Sequence, residues 1–254
     1  MARPRHCLFC DRPADTREHA WPEWLLERLK HGQQPAMRGH VQNKPFFYKL
    51  SKPTMTVKCV CSACNCGWMS DLENLARPVV GSLVQDISVR LDQHQQLTIA
   101  QWAMKTCMVM ELIGRPRRNK FYTDEECQKL RLDSELPAPT FVWLGRYGGV
   151  NHIAAFGTDI WNDVPEKPGT IHGYVSTIVA GRLVVQVLSF HIPSQYGDRA
   201  IPINPKPGPW NMFLIPTWPF KRNFSWPLIG TIRDAGAVDL QSIARRWSMG
   251  GNPP

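Results

Sequence analysis

The chain has 254 residues, 43% of them hydrophobic and 20% charged, with a formal net charge of +9. That composition suits a globular chain able to bury a core, and argues against a disordered or fibrous one. The apolar runs are short and broken by charge or proline. The longest, Ile99 to Ile113, contains Lys105 and Glu111 and reads as a core helix, not a membrane span.

The opening MARPRHCLFC has no apolar core of the secretory kind, so a cytoplasmic location is expected. The excess of positive charge favours a polyanionic partner, because neutralised phosphates release counterions. The same charge also serves simple solvation.

Local pattern divides the chain into three. Residues 1–80 hold the cysteine clusters, residues 81–133 read as helices, and residues 138–254 read as strands and loops rich in proline, glycine and tryptophan. The expected fold class is therefore α+β: an N-terminal zinc module, a helical segment, then a β-rich C-terminal part. As domains, 1–80 form the module and 81–254 an accessory region.

A first helix is expected from Pro22 to Leu29, since proline suits a first turn. A second starts near Ser70, where Ser70 and Glu73 form a capping-box pattern, and runs through Leu72, Leu75 and Val79. A third has Thr98 as its cap, an apolar face from Ile99 to Ile113, and Gly114 as its stop. A fourth runs from Asp124 to Leu132. The period then changes to that of strands at 141–146, 150–156, 170–179 and 183–190, with Ala180-Gly181-Arg182 as a hairpin turn. Residues 202–227, dense in proline and tryptophan, resist assignment. A last short helix is expected from Asp239 to Trp247.

Six of the eight cysteines fall within the first 66 residues. Cys7-Leu-Phe-Cys10 and Cys61-Ser-Ala-Cys64 are two CxxC knuckles, and two such knuckles complete a tetrahedral four-thiolate zinc site. The long separation suits a treble clef, in which the second knuckle opens onto a helix. Cys59 and Cys66 flank the second knuckle and offer alternative CxC ligands, but CxC does not form the knuckle. Cys107 and Cys127 lie on helical stretches and read as buried apolar residues. His152, His172 and His191 have no metal spacing and read as structural.

Between the knuckles stands Arg17-Glu18-His19-Ala20-Trp21-Pro22, and Asn65 follows the second knuckle directly. CLFC, REHAWPEWL and CSACNCGWMSDLE together resemble the HNH-type nuclease pattern, whose core is a ββα-metal fold, over about the first 80 residues. The resemblance implies a metal-dependent endonuclease cleaving nucleic acid, with DNA as the expected substrate. It implies His19 as general base, since a histidine takes up and releases protons near neutrality. It implies Glu18 and Asn65 as ligands of Mg²⁺ or another divalent ion, while zinc is structural. The chain departs from the pattern in two places. Glu18 stands where the family has aspartate. The middle asparagine has no counterpart in Thr-Met-Thr-Val-Lys-Cys-Val at 54–60, which leaves Asn43 or His40 as substitutes, or none. That loss opens an alternative, a zinc module that binds nucleic acid or protein without cutting.

Arg17 and the basic run Arg115, Arg117, Arg118 and Lys120 are candidate phosphate contacts; the run serves equally as a solvated loop. Arg245-Arg246-Trp247 is a weaker case. Trp21, Trp24 and Trp68 suit the core of a small module better than a base-stacking surface. No membrane partner is expected. The β-rich part is open to substrate recognition, ligand sensing or homo-oligomer formation.

Overall fold

The computed structural model describes residues 6–29, 36–41, 44–49, 55–114, 117–149, 153–163, 170–194 and 212–233, with Ile243, Arg246 and Trp247; for 36–41, 44–49, 161–163 and 170 it describes the backbone alone. The fold is mixed α/β. No described helix is long and apolar enough to cross a membrane.

The N-terminal region begins with a turn around the first knuckle, closed by a bridge between His6 and Pro13. Strand β1 (Thr16–His19) leads to helix α1 (Glu23–Arg28). Strands β2 (Ala36–Val41) and β3 (Lys44–Lys49) follow, then β4 (Thr56–Val60), which returns to pair antiparallel with β1. The second knuckle forms the one-turn helix α2 (Ser62–Cys64). The segment Asn65–Met69 then leads into α3 (Ser70–Val84) across a kink at Gly67, whose φ −95 and ψ −118 are non-helical. Met69 and Ser70 already have helical angles and no side chain caps this end, so Ser70 is not the cap and the expected Ser70–Glu73 capping box does not form.

Strand β5 (Val89–Leu91) precedes α4 (Gln93–Gly114), the longest helix described. Its start lies a turn and a half before the expected Thr98. Asp92 accepts from the Gln95 backbone N–H at 2.8 Å while Gln95 Oε1 accepts from the Asp92 N–H at 3.0 Å, a capping box with Asp92 as cap. Thr98 instead donates to His94 O within the helix. From Thr98 to Glu111 almost every residue of α4 is buried, as expected of a helix enclosed on all sides. Helix α5 (Asp124–Asp133) starts where expected, capped by a Thr123–Glu126 box.

Strands β6 (Thr140–Tyr147), β7 (Ile153–Asp163), β8 (Thr170–Ala180), β9 (Leu183–His191) and β10 (Leu214–Trp218) join β2 and β3 in one sheet, ordered β10-β6-β9-β8-β7-β2-β3. All neighbours run antiparallel except β2 with β7. Strand β11 (Phe224–Trp226) pairs with β5, and β12 (Thr231–Ile232) lies parallel to the end of β6. The expected helix over 239–247 lies outside the described residues, apart from Ile243, Arg246 and Trp247.

Leu183–Phe190 reads as a nearly unbroken apolar run, and the structure explains it: the sheet is covered on both faces. Val185 and Val187 belong to the main core, where α4 packs on β9, while Val184 and Leu188 face clusters that include Ile243 and Trp247. The main cluster extends from Cys7 through α3 and α4 to the sheet. A division at residue 80 falls inside α3, so the cysteine-bearing segment is seated directly on the rest.

The β8–β9 turn shows how tightly. Gly181 has φ +57, and a Cβ there would meet Val84 O at 2.5 Å. The next residue, Arg182, donates its N–H to the same Val84 carbonyl at 2.9 Å, so the turn caps the C-terminus of α3. Gly181→Val is therefore expected to destabilise the protein by about 1–3 kcal/mol through backbone strain and lost fit. Urea unfolding of the variant measures this; a midpoint equal to wild type would contradict it.

Candidate functional site

The four knuckle cysteines meet. The Sγ atoms of Cys7, Cys10, Cys61 and Cys64 all lie within 4.8 Å of one another, the sole such metal-capable group among the described residues. Cys10 Sγ is 3.6 Å from Cys61 Sγ and 3.6 Å from Cys64 Sγ. A tetrahedral zinc with Zn–S bonds of about 2.3 Å places its sulfurs about 3.8 Å apart, so the donor set fits zinc in number, softness and spacing. Backbone N–H groups point at the sulfurs: Phe9 N donates to Cys7 Sγ and Cys64 N to Cys61 Sγ, each at 3.4 Å. These bonds stabilise thiolate charge.

Neighbouring chain fixes the two knuckles together. Leu8 N donates to Cys59 O at 2.7 Å, which ties the first turn to β4. The Asp15 carboxylate accepts from Ser62 N at 2.7 Å and caps α2. Cys59 is buried outside the cluster, and burial pushes its thiol up to about 12. Cys66 is exposed. Neither belongs to the four-sulfur group. Cys107 and Cys127 are buried, as expected from their helical setting. Trp21, Trp24 and Met69 are also buried, and Trp68 packs edge-on against Phe9 at 4.8 Å, so the aromatic residues build the module's core.

The three residues that the resemblance marks are held as follows. Successive side chains of β1 alternate between faces. Thr16 and Glu18 point inward and Arg17 and His19 outward. Asn65 reaches the inner face, its Nδ2 donating to Thr16 Oγ1 at 3.4 Å. His19 is about one-third exposed, with Nε2 3.6 Å from Oε1 of Glu23, the first residue of α1. The Glu18 side chain is only 12% exposed, and its Oε1 lies 3.4 Å from the Nζ of Lys105.

Lys105 is the residue that sequence reasoning passed over as a mere interruption of an apolar helix. It is 1% exposed. It bridges Glu18 and Glu73, with Glu73 in close contact. The other oxygen of Glu73 accepts from Trp24 Nε1 at 2.6 Å and Trp102 Nε1 at 3.2 Å. Glu73 thus serves this network instead of capping α3. Burial pulls the Lys105 pKa down, but the Glu73 and Glu18 carboxylates outweigh it and hold it above its ordinary value. Burial pushes the Glu18 carboxyl above the ordinary carboxylate range, against the opposing pull of Lys105.

For a hard divalent ion the available donors are oxygens of the right kind. Glu18 Oε2 and Asn65 Oδ1 make no hydrogen bond among the described residues, while Lys105 already stands as a cation beside Glu18. Of the substitutes for the middle asparagine, His40 lies on the backbone of β2 opposite Pro45, and Asn43 lies outside the described residues.

The basic run divides. Arg115 lies outside the described residues, and Arg118 is exposed. Arg117 donates to the carbonyls of His6 and Cys7, the latter at 3.0 Å, and lies 3.6 Å from Asp124. Lys120 pairs with Asp124 at 3.0 Å. Both are committed to bracing the first knuckle and α5. A cleft of about 370 Å³ opens beside that knuckle, but Asp11 and Asp124 line it together with Arg117, so its walls are of mixed sign. Arg246, in the weaker C-terminal case, is buried. It is stacked against Trp143 and Trp247 at 4.6 and 4.7 Å, its Nε donates to Gln186 at 2.6 Å, and burial pulls its pKa down to about 9. His172 and His191 each pair with a carboxylate, Asp159 at 2.8 Å and Glu126 at 3.0 Å.

Two outcomes are expected. Purified protein should carry one zinc per chain; Cys64→Ser should lose it and Cys66→Ser keep it, read by metal analysis. Lys105→Met should destabilise the fold by about 3–5 kcal/mol, because it strands two buried carboxylates, and adding Glu18→Gln should recover part of the loss in chemical denaturation. Unchanged stability in Lys105→Met would contradict the network. Compared with known proteins, the chain matches no family model, no curated protein and no solved structure, so the site rests on its own geometry.

Proposed function

We propose that the N-terminal region is a ββα-metal module of the HNH type and that the protein is a metal-dependent endonuclease acting on DNA. The observation that carries this reading is the placement of three side chains around one strand. Glu18 and Asn65 share the inner side of β1, and His19 is the next residue along, on the outer side. The order of parts also agrees with a treble clef: a knuckle turn, two antiparallel strands, and a second knuckle opening onto a helix.

In this reading the zinc at the four thiolates only holds the fold. His19 removes a proton from water as the water oxygen attacks phosphorus, and the bond to the 3′-oxygen breaks, that oxygen leaving with the electron pair. Glu23, 3.6 Å from His19 Nε2, stabilises the imidazolium that forms. Glu18 and Asn65 would hold a divalent ion such as Mg²⁺, which supplies positive charge for the phosphate and the leaving oxygen.

A second reading has its own observation. Lys105 places a fully buried ammonium against Glu18, where the first reading needs a divalent cation. A site neutralised from within suits a zinc module that binds nucleic acid without cutting it.

A plasmid-nicking assay with Mg²⁺ or Mn²⁺ against a chelated control separates the two. The nuclease reading predicts divalent-dependent nicking, and His19→Ala should slow it by about 10²–10⁴ with zinc content intact. Binding of DNA without any metal-dependent nicking would favour the second reading. Loss of zinc from His19→Ala would make His19 structural and remove the basis of the first.

A further inference from the structure

The outer face of the β1–β4 ribbon carries an arrangement that the fold does not need. Register pairs Arg17 with Lys58, next to an irregularity between Thr16 and Arg17 where Cys59 is passed over, and His19 with Thr56, while Glu18 pairs with Val57. Arg17 and Lys58 are both exposed. Directly opposed side chains on antiparallel strands stand about 5 Å apart at Cβ, and like charges so placed repel each other.

The described residues offer these two cations no carboxylate. Arg17 Nε donates to Thr56 Oγ1 at 2.9 Å, and neither Arg17 nor Lys58 enters an ion pair with a described residue. Other cations of the described surface also stand without a carboxylate, Arg90, Arg118 and Lys221 among them, but Arg17 and Lys58 face each other across one ribbon. The Thr56 bond steadies the guanidinium and leaves its two Nη groups unpartnered among the described residues. The result is a two-charge strip in which Arg17 stands two positions from His19 on the same face.

We propose that Arg17 and Lys58 form a phosphate-binding strip that seats a nucleic-acid backbone against His19. The inference rests on the reading of this region as a nucleic-acid module, and it adds Lys58, which no sequence motif marks. A guanidinium with two free Nη groups grips phosphate oxygens bidentately, and the opposed ammonium adds a point charge. The bound phosphate supplies the missing negative charge between the two strands.

The test uses the full zinc-loaded chain and short duplex DNA and duplex RNA of the same sequence, followed by fluorescence anisotropy over a range of salt. The slope of log K against log salt should fall by about 1 for each of Lys58→Thr and Arg17→Ala, and by about 2 for the pair. Thermal melting supplies a readout that a structural role would move the other way: Lys58→Thr should melt no lower than wild type, because it relieves repulsion. Binding by the wild type with an unchanged slope in the double variant would overturn the strip and leave the nuclease reading standing. A reduced slope without cleavage under any divalent ion would support the strip and withdraw only the nuclease reading. No binding of either duplex by the wild type at low salt would overturn both. A clear fall in melting temperature for Lys58→Thr would assign the pair to the fold and overturn the strip.

Discussion

Cys10 and Cys61 are 51 positions apart, yet their sulfurs lie 3.6 Å from each other. Bringing four thiols to one point closes a long loop and crowds groups that repel once ionised. A metal with soft-ligand affinity reverses that balance, and its binding energy becomes folding energy for the surrounding chain. The features that follow in the N-terminal region depend on this closure. It sets β4 beside the first knuckle through Leu8 and Cys59, it starts the helical course at Cys61 under the Asp15 cap, and it thereby aims Asn65 at Thr16 on the neighbouring strand.

The second constraint is the buried charge network. Lys105 comes from the middle of α4, Glu18 from β1 and Glu73 from α3, so one ammonium ties three elements at a single point. Burying three charges is costly, and an apolar trio of the same volume would often be as stable. What the charges add is position: an ammonium between two carboxylates, one of them held by two indole N–H groups, permits few alternative packings. The four-cysteine cluster organises the ribbon, and the Lys105 network locks the ribbon onto the helices and, through α4, onto the large sheet. His19 and the exposed cations on the far side of the ribbon are thus presented on a rigid support.

Much of this was legible in the residues, for identifiable reasons. The CxxC pairs name their own partners, because a knuckle needs that spacing. The β8–β9 hairpin was legible because Gly181 is a local necessity. Signals failed where a distant group took over a side chain. Ser70 and Glu73 have capping-box spacing, yet Glu73 is captured by Lys105, Trp24 and Trp102. Thr98 has the look of a cap, yet the cap formed at Asp92. The pairing of β1 with β4 spans an intervening helix and hairpin, and no local pattern reports it. Lys105 could have been suspected, since a lone lysine amid Ala103, Met104, Cys107 and Met108 demands a buried partner, but which carboxylates answer it depends on the fold.

The central claim is that four thiolates bind one zinc and no other residue does so in their place. X-ray absorption at the zinc edge of the purified, zinc-loaded chain tests it most directly. The account predicts a shell of four sulfurs at about 2.3 Å and no nitrogen or oxygen scatterer in the first shell. A mixed shell, with nitrogen at about 2.0–2.1 Å, would place a histidine such as His19 or His6 on the metal and contradict it.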